Sequence, residues 1–216
     1  MIKKNSKSNS DLLNEYDTNF DVFNEIKNKL ELLINDLLSK NNIRSHQVNA
    51  RVKERESFKN KINKKFYADI NDITDCIGIR IITYFEDEVE TVANLIKREF
   101  IIDSENSIDK RHIENDRFGY KSLHYIISIS KRREALPEYS NFVGRKAEVQ
   151  IRSILQHSWA EIEHDLGYKS EIGIPSSLRR NFSRLSALLE IADIEFVRLR
   201  DNLKNYKIEL ERIILS

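Results

Sequence analysis

The sequence is poor in the residues that break or cross-link a polypeptide chain. Its 216 residues include only 5 Gly, 2 Pro and 1 Cys. So little glycine and proline argues against long linkers and low-complexity segments. The single cysteine, Cys76, cannot form an internal disulfide, which makes a reducing cytoplasm the expected location.

Long apolar runs and a strong net charge are also missing. No stretch approaches the roughly 20 apolar residues of a membrane span. Residues 1–9 are basic and polar, but the apolar stretch of a signal peptide does not follow them. The net charge is +1, so nucleic-acid binding would need a local basic patch. With 40% hydrophobic and 33% charged residues, we expect a soluble globular protein that does not contact a membrane.

Periodic apolar residues predict both helices and strands. Spacings of three and four residues predict helices from Ser10 to about residue 40, at 88–100, at 153–166 and after 174. Segments 77–85, 123–130 and 146–151 are rich in β-branched residues or alternate in polarity, which predicts strands. The predicted fold class is α/β, of the α+β kind: a mixed β-sheet flanked by helices, with helical arms at both ends.

The last predicted helix is unusually long. If it is continuous after residue 174, it extends roughly 55–60 Å at about 1.5 Å per residue. That exceeds what a small domain needs, so it either breaks into two helices or protrudes towards another chain. It is therefore a candidate contact for a homo-oligomer.

Seven cations fall within residues 51–65, a density that suits a triphosphate. They are Arg51, Lys53, Arg55, Lys59, Lys61, Lys64 and Lys65. The alternative is a solvated helix face, because Glu54 and Glu56 are interleaved with them.

Two carboxylates border predicted strands. Asp75 precedes the strand that contains Arg80. A carboxylate at a strand end can hold Mg²⁺ against a phosphate, and an arginine in an apolar strand needs a partner or a ligand. An internal Asp75–Arg80 ion pair is the alternative. Glu148 lies on the polar face of a later strand, where it could complete a metal site or act as a general base; a solvent-facing sheet edge is the alternative.

Two further patterns carry weaker signals. Tyr120 follows a glycine and could stack on a base, although a core tyrosine is more common. His157, Glu161 and His164 share one helical face at metal-ligand spacing. Because no HExxH motif or cysteine accompanies them, we interpret this face as a hydrogen-bonded surface behind the active site.

Four segments, in this order, resemble the synthetase domain of the RelA/SpoT family: ARVKERESFKNK, DITDCIGIRI, GYKSLHY and AEVQIRSILQHSWAEIEHDLGYK. The chain is most similar to the stand-alone small alarmone synthetases. The resemblance divides it into an N-terminal helical arm (1–45), a synthetase core (46–170) and a C-terminal long helix or helices (171–216). It implies a nucleotidyltransferase-type sheet, and transfer of pyrophosphate from ATP to a ribose 3′-hydroxyl with AMP as the leaving group.

The same resemblance implies roles for individual residues. Asp75 matches the Mg²⁺ ligand, and Glu148 matches the second metal ligand or the base that activates the hydroxyl. Arg51 and Arg80 match the pair that sandwiches adenine. The phosphate-binding positions are Lys53, Ser57 and Lys61, and the acceptor-binding positions are Tyr120, Lys121 and His124. Because the matching residues are retained, a catalytically inactive binding module is disfavoured.

Residues 107–118 depart from the family pattern, because the lysine expected to hold the acceptor phosphates is missing or displaced. The segments ENSIDKR and DRFGYKSLHY resemble the toxic branch of the family. Members of that branch make toxic alarmones or attach pyrophosphate to the 3′-terminal adenosine of tRNA, and they pair with an antitoxin. We therefore expect a tRNA-modifying toxin with a protein antitoxin. The alternative is a GTP/GDP pyrophosphokinase that makes (p)ppGpp. No hydrolase domain is expected. Candidate contacts to the tRNA backbone are Lys27, Lys29, Lys110, Arg111 and Arg117.

Overall fold

The computed structural model describes residues 7–109, 123–168 and 176–215. Six helices and six strands occur in these ranges. The helices are α1 (Asn9–Lys40), α2 (Arg55–Lys64), α3 (Asp87–Glu99), α4 (Lys131–Glu134), α5 (Ile154–Tyr168) and α6 (Ser176–Ile214). The strands are β1 (Gln47–Val52), β2 (Ile77–Thr83), β3 (Phe100–Ile102), β4 (Ile108–Asp109), β5 (Leu123–Ile129) and β6 (Ala147–Ser153).

The strands form one mixed sheet in the order β1-β2-β6-β5-β3, with β4 paired to β5. The pair β2–β6 is parallel, whereas β1–β2, β5–β6, β3–β5 and β4–β5 are antiparallel. This arrangement confirms the predicted α+β class with a mixed sheet flanked by helices. All three predicted strands are present, as β2, β5 and β6. Strand β1 was not predicted, because its inner residues are only half-buried and its outer ones are exposed.

Helix α1 has clear signals at both ends. Ser8 and Asp11 form a reciprocal capping box at its N-terminus. Beyond its C-cap, Asn42 has a positive φ of 54°, a left-handed conformation that asparagine tolerates and that ends a helix. Between these ends the buried residues recur at helical spacing, from Leu12 to Leu38. Local sequence therefore sets the length of this helix.

One face of the sheet is apolar and carries the core. Helix α1 packs against β1 and β2, while α3 packs against β6 and β3. The inward side chains of β2 alternate along the strand as Ile77, Ile79 and Ile81, and all are fully buried. These residues belong to the same hydrophobic cluster as the buried residues of α1 and α3. The opposite face of the central strands carries most of their polar side chains, together with the buried Ile82 and Ile126.

Helices α5 and α6 complete the structure at the end of β6. Trp159 of α5 packs edge-to-face on Phe182 of α6, with ring centroids 5.7 Å apart. The Ser153 hydroxyl donates to Asp193 of α6 over 2.8 Å, and both side chains are buried. Helix α6 is continuous for 39 residues, which settles the choice between one helix and two. Within the described ranges, no helix is long and apolar enough to cross a membrane.

Candidate active site

Four neighbouring strands present polar residues on the face opposite the core. In the register of the sheet, Arg51 pairs with Gly78, and Gly78 with Glu148. Two residues further along β2, Arg80 pairs with Asn49 on one side and with Gln150 on the other. Gln150 in turn pairs with His124 on β5. Because paired residues share a face and residues two apart on a strand do as well, this surface carries Asn49, Arg51, Gly78, Arg80, His124, Glu148, Gln150 and Arg152.

Asp75 lies two residues before β2 and is held by two lysines. Its Oδ2 atom accepts from Lys61 Nζ at 2.7 Å and lies 3.1 Å from Lys53 Nζ. Lys53 is positioned by the end of β1, where its amide donates to the Cys76 carbonyl over 2.9 Å. Lys61 is positioned by α2, which buries Phe58 and Ile62 in the core. The tertiary structure thus brings two of the three predicted phosphate ligands onto the predicted metal ligand.

The two lysines keep Asp75 ionised. Burial by itself raises the pKa of this carboxyl, but the hydrogen bond from Lys61 and the charges of both lysines outweigh burial and lower the pKa. The Oδ1 atom is buried and has no hydrogen-bond partner among the described residues. A buried carboxylate oxygen without a donor is costly, and it is suited to bind a cation.

Glu148 is held at both oxygens by neighbouring side chains. Its Oε1 atom lies 3.0 Å from His124 Nδ1, and its Oε2 atom accepts from Gln150 Nε2 at 2.9 Å. Burial by itself raises the pKa of Glu148. The His124 contact and the Gln150 hydrogen bond outweigh burial, so the pKa of Glu148 is lowered. The negative charge of Asp75 acts in the opposite direction, to raise this pKa. The two carboxylates are therefore close enough to interact electrostatically.

These two carboxylates suit a magnesium ion that takes its other ligands from substrate and water. Mg²⁺ is usually held by one or two carboxylates together with phosphate oxygens and waters. The Oδ1 atom of Asp75, which has no hydrogen-bond partner among the described residues, could provide one such ligand. Among the described residues, no group of three or more His, Cys, Asp or Glu side chains could form an all-protein metal cage.

The two arginines expected at the adenine lie on adjacent strands of the same face. The Arg51 side chain runs over Gly78, where an added Cβ would lie 3.8 Å from Arg51 Cγ. Arg80 Nη1 bonds Glu161 Oε1 on α5 at 2.9 Å. The alternative Asp75–Arg80 ion pair is not formed, because Asp75 contacts lysines and Arg80 contacts Glu161.

The remaining candidates divide between the site and other surfaces. Ser57 is exposed on α2, one turn before Lys61. Arg55 instead binds Asp17 through two hydrogen bonds of 2.8 Å. Lys29 bonds Glu25 and the Glu138 carbonyl, each at 2.6 Å. Lys27 and Lys29 both lie on α1, which packs on the apolar face of the sheet, so the structure does not bring these lysines to the carboxylates. Tyr120, Lys121, Lys110, Arg111 and Arg117 lie outside the described residues.

The sequence assigned no role to Gln150 or Arg152, and it placed Glu161 on a hydrogen-bonded helical surface behind the active site. The alternation of KAEVQIRS placed Gln150 and Arg152 beside Glu148, which was the available signal. The structure gives the helical face of Glu161 and His157 a specific contact. Glu161 binds Arg80 across the gap between α5 and β2, and His157 Nδ1 lies 3.9 Å from the same Glu161 oxygen.

Comparisons with known proteins identify relatives of this chain. The model of the region found in RelA / SpoT proteins matches residues 50–173. Two curated relatives from Bacillus subtilis (strain 168) are similar: the GTP pyrophosphokinase YjbM, 25% identical over 76% of both chains, and the GTP pyrophosphokinase YwaC, 29% identical over 70% of this chain and 71% of the relative.

Solved structures share the fold. Small alarmone synthetase 1 from Bacillus subtilis, bound to its product pppGpp, superposes with a TM-score of 0.73 at 22% identity, covering 88% of this chain and 99% of that one. The same synthetase bound to AMPCPP superposes with a TM-score of 0.66 at 21% identity, covering 88% and 98%. The family model spans more than half of the sequence and includes both carboxylates and both lysines of the site, so this chain belongs to the RelA/SpoT family.

Proposed function

We propose that the protein is a pyrophosphokinase that transfers the β,γ-pyrophosphate of ATP to the 3′-hydroxyl of GDP or GTP. The observation that carries the proposal is the convergence of Lys53 and Lys61 on Asp75, beside Glu148 on the neighbouring strand β6. Phosphoryl-type transfer depends on positioning and on neutralising charge, and this arrangement supplies both signs of charge at one place. The similarity to two GTP pyrophosphokinases supports a guanine-nucleotide acceptor.

The donor would lie across the polar face of the sheet. Arg51 and Arg80 stand on adjacent strands and offer planar guanidinium groups that can stack on adenine. Lys53 and Lys61 would release Asp75 and bind phosphate oxygens of ATP instead. Ser57, which lies on the same side of α2 as Lys61, would also bind these oxygens. Asp75, released from the lysines, would then take Mg²⁺ through its free oxygen. The bound ion would neutralise charge on the phosphates.

Glu148 is proposed as the base for the acceptor. The 3′-oxygen attacks the β-phosphorus of ATP, and the bond between that phosphorus and the oxygen bridging to the α-phosphate breaks. The hydroxyl proton passes to Glu148, and AMP leaves with the bridging oxygen. A carboxylate with a lowered pKa is ionised before the reaction and can accept this proton. Tyr120 and Lys121 are proposed to bind the acceptor, as the family resemblance implies. His124, the third position that the resemblance implies, contacts Glu148 instead.

A tRNA acceptor remains the competing prediction, together with its antitoxin. Its main support was the unusual segment 107–118, most of which lies outside the described residues. The curated relatives are GTP pyrophosphokinases, and Lys29 is already engaged by Glu25 and Glu138. The guanine-nucleotide acceptor is therefore the better-supported of the two.

Incubation with γ-labelled ATP and each acceptor separately tests the proposal. We expect labelled guanosine polyphosphate from GDP or GTP, release of AMP in equal amount, and no label on tRNA. The variant Glu148→Gln serves as the inactive control. Label on the tRNA 3′ end without labelled guanosine polyphosphate would decide for the toxin, and no transfer to either acceptor would overturn pyrophosphokinase activity.

A further inference from the structure

His124 lies between an acid and an arginine on the polar face. Its Nδ1 atom is 3.0 Å from Glu148 Oε1, and its Nε2 atom is 3.2 Å from Arg152 Nη2. The three residues come from two adjacent strands, β5 and β6, whose register sets His124 opposite Gln150. Glu148 and Arg152 flank Gln150 two residues away on either side, so all three point to the same face.

The arginine determines which ring nitrogen carries the proton. A guanidinium has only donors, so His124 Nε2 must accept a hydrogen bond from Arg152. The proton of the imidazole is then on Nδ1, and that N–H donates to Glu148 Oε1. Gln150 donates to the other carboxylate oxygen over 2.9 Å. Donors at both oxygens prevent rotation of the carboxylate and leave its remaining lone pairs to face the substrate.

We propose that Arg152 is a positioning residue: it fixes His124 in the Nδ1–H tautomer, and His124 in turn holds the Glu148 carboxylate in the orientation that receives the acceptor proton. The catalytic consequence rests on the proposed function, whereas the tautomer does not. The proposal also changes the role of His124. Both of its ring nitrogens are engaged by the protein, so it acts on Glu148 and not directly on the acceptor.

The tautomer can be measured without any assay of activity. In protein labelled with isotopic nitrogen in histidine, nitrogen–proton correlation spectra at alkaline pH distinguish Nδ1–H from Nε2–H imidazole, and the variant His124→Gln identifies the signal. We expect Nδ1–H in the wild type and a shift towards Nε2–H in Arg152→Met. An Nε2–H tautomer in the wild type would overturn the proposal.

Two isosteric variants separate the roles of His124 in the reaction. The asparagine amide replaces the Nδ1–H group that faces Glu148, whereas the glutamine amide reaches the Nε2 position that faces Arg152. We expect His124→Asn to retain most of kcat and His124→Gln to lose it, with the KM for the acceptor unchanged in both. If His124→Gln is the active variant and His124→Asn raises the acceptor KM, His124 binds the acceptor and the proposal is wrong.

Arg152 is tested by removing and restoring its donor. Groups that orient a catalytic ligand commonly contribute about 10–100-fold to activity, so we expect a kcat loss of that size in Arg152→Met, with the KM values for ATP and acceptor little changed. Arg152→Lys should restore part of the loss, because lysine retains a charged donor. In the His124→Asn background Arg152→Met should have little effect, since no tautomer remains to be fixed; a full additive loss would contradict the proposal.

The two proposals fail in distinguishable ways. If neither GDP nor GTP is labelled but the spectra show the Nδ1–H tautomer in the wild type and its loss in Arg152→Met, the proposed function fails while the positioning of His124 is supported. If guanosine polyphosphate is made but Arg152→Met keeps the wild-type tautomer and kcat, the positioning role fails while the proposed function stands.

Discussion

Asp75 and Glu148 carry the same charge but are held by different partners. Two ammonium groups neutralise Asp75, whereas His124 and Gln150 orient Glu148. This division suits a metal ligand and a base, because a ligand can exchange one cation for another, while a base must keep its direction. The two residues are therefore expected to tolerate substitution differently.

The first prediction concerns removal of either charge. Asp75→Asn and Glu148→Gln should each lower kcat by several powers of ten while the fold, followed by circular dichroism, is unchanged. Added Mg²⁺ should partly offset the loss in Asp75→Asn, where a ligand is weakened, but not in Glu148→Gln, where the base is lost. Glu56→Gln is the matched control, because the side chain of Glu56 is 67% exposed to solvent. Near-normal transfer by Glu148→Gln would exclude it as the base.

The second prediction concerns the planar group of Arg80. Arg80→Lys can keep the ion pair with Glu161 but cannot stack on adenine, so we expect ATP to bind at least tenfold more weakly. Arg55→Lys is the control, because Arg55 binds Asp17 away from the site. Normal ATP affinity of Arg80→Lys in calorimetry would show that Arg80 serves only as a partner of Glu161.

The third prediction concerns Cys76, the residue after Asp75. Burial raises the pKa of its thiol to about 12, and the thiolate is the reactive form. Native protein at neutral pH should therefore resist alkylation for hours, while protein unfolded in urea should react within minutes. Because the chain has 1 Cys, the reaction reports this position alone. Fast labelling of the native protein would show that the segment before β2 opens readily.

At the scale of elements, α1 is part of the core and not a loose extension. Its buried residues belong to the same hydrophobic cluster as the sheet. Tyr16 stacks on Phe58 of α2, with ring centroids 4.3 Å apart, and its hydroxyl donates to the Lys53 carbonyl. The helix therefore supports the two segments that carry Lys53 and Lys61.

The fourth prediction compares two apolar residues of α1. Ile34 is fully buried, whereas Leu32 is 68% exposed. Ile34→Ala should lower the free energy of unfolding by about 2–5 kcal/mol, because it leaves a cavity. Leu32→Ala should change it by less than about 0.5 kcal/mol. Urea denaturation measures both, and equal effects would mean that α1 does not pack on the sheet in solution.

At the scale of the whole molecule, α6 exposes an apolar stripe. Phe196, Leu199, Leu203 and Tyr206 are each more than half exposed, and they recur at the spacing of three and four residues typical of a helix–helix contact. Three of them, Phe196, Leu199 and Leu203, border a cleft of about 460 Å³ together with Phe85. An apolar surface of this kind on a charged protein commonly marks a protein contact, and a second copy of α6 offers the same stripe.

The fifth prediction is that the protein forms a homo-oligomer through α6. Light scattering at micromolar concentration should give a mass at least twice the 25.5 kDa of one chain. Leu199→Lys combined with Leu203→Lys should reduce it to the monomer, because lysine cannot be buried without a partner. Arg198→Ala, at a side chain 67% exposed, should have no effect. A monomeric wild-type protein would contradict the prediction that a second copy of α6 covers this stripe.

Much of the secondary structure was predictable because its signals are local. Apolar residues three and four apart predicted α1, α3, α5 and α6, and the boundaries differ by only a few residues from the observed ones. Strand β1 was missed, because its inner residues are only half-buried and its outer ones are polar and exposed. As an edge strand, β1 lacks the strong apolar pattern of central β2.

By itself, the sequence determined four of the helices (α1, α3, α5 and α6), the three central strands and the family. It also determined the residue types Asp, Glu, Arg and Lys that the chemistry needs. These depend on neighbours along the chain or on motif order. Only the tertiary structure decided which side chains pair. Lys53 and Lys61 contact Asp75, and Glu161 binds Arg80. His124 links Arg152 to Glu148. Most of these partners lie far apart in sequence. Strand register and helix packing bring them together, and no local pattern encodes which carboxylate a given cation will reach.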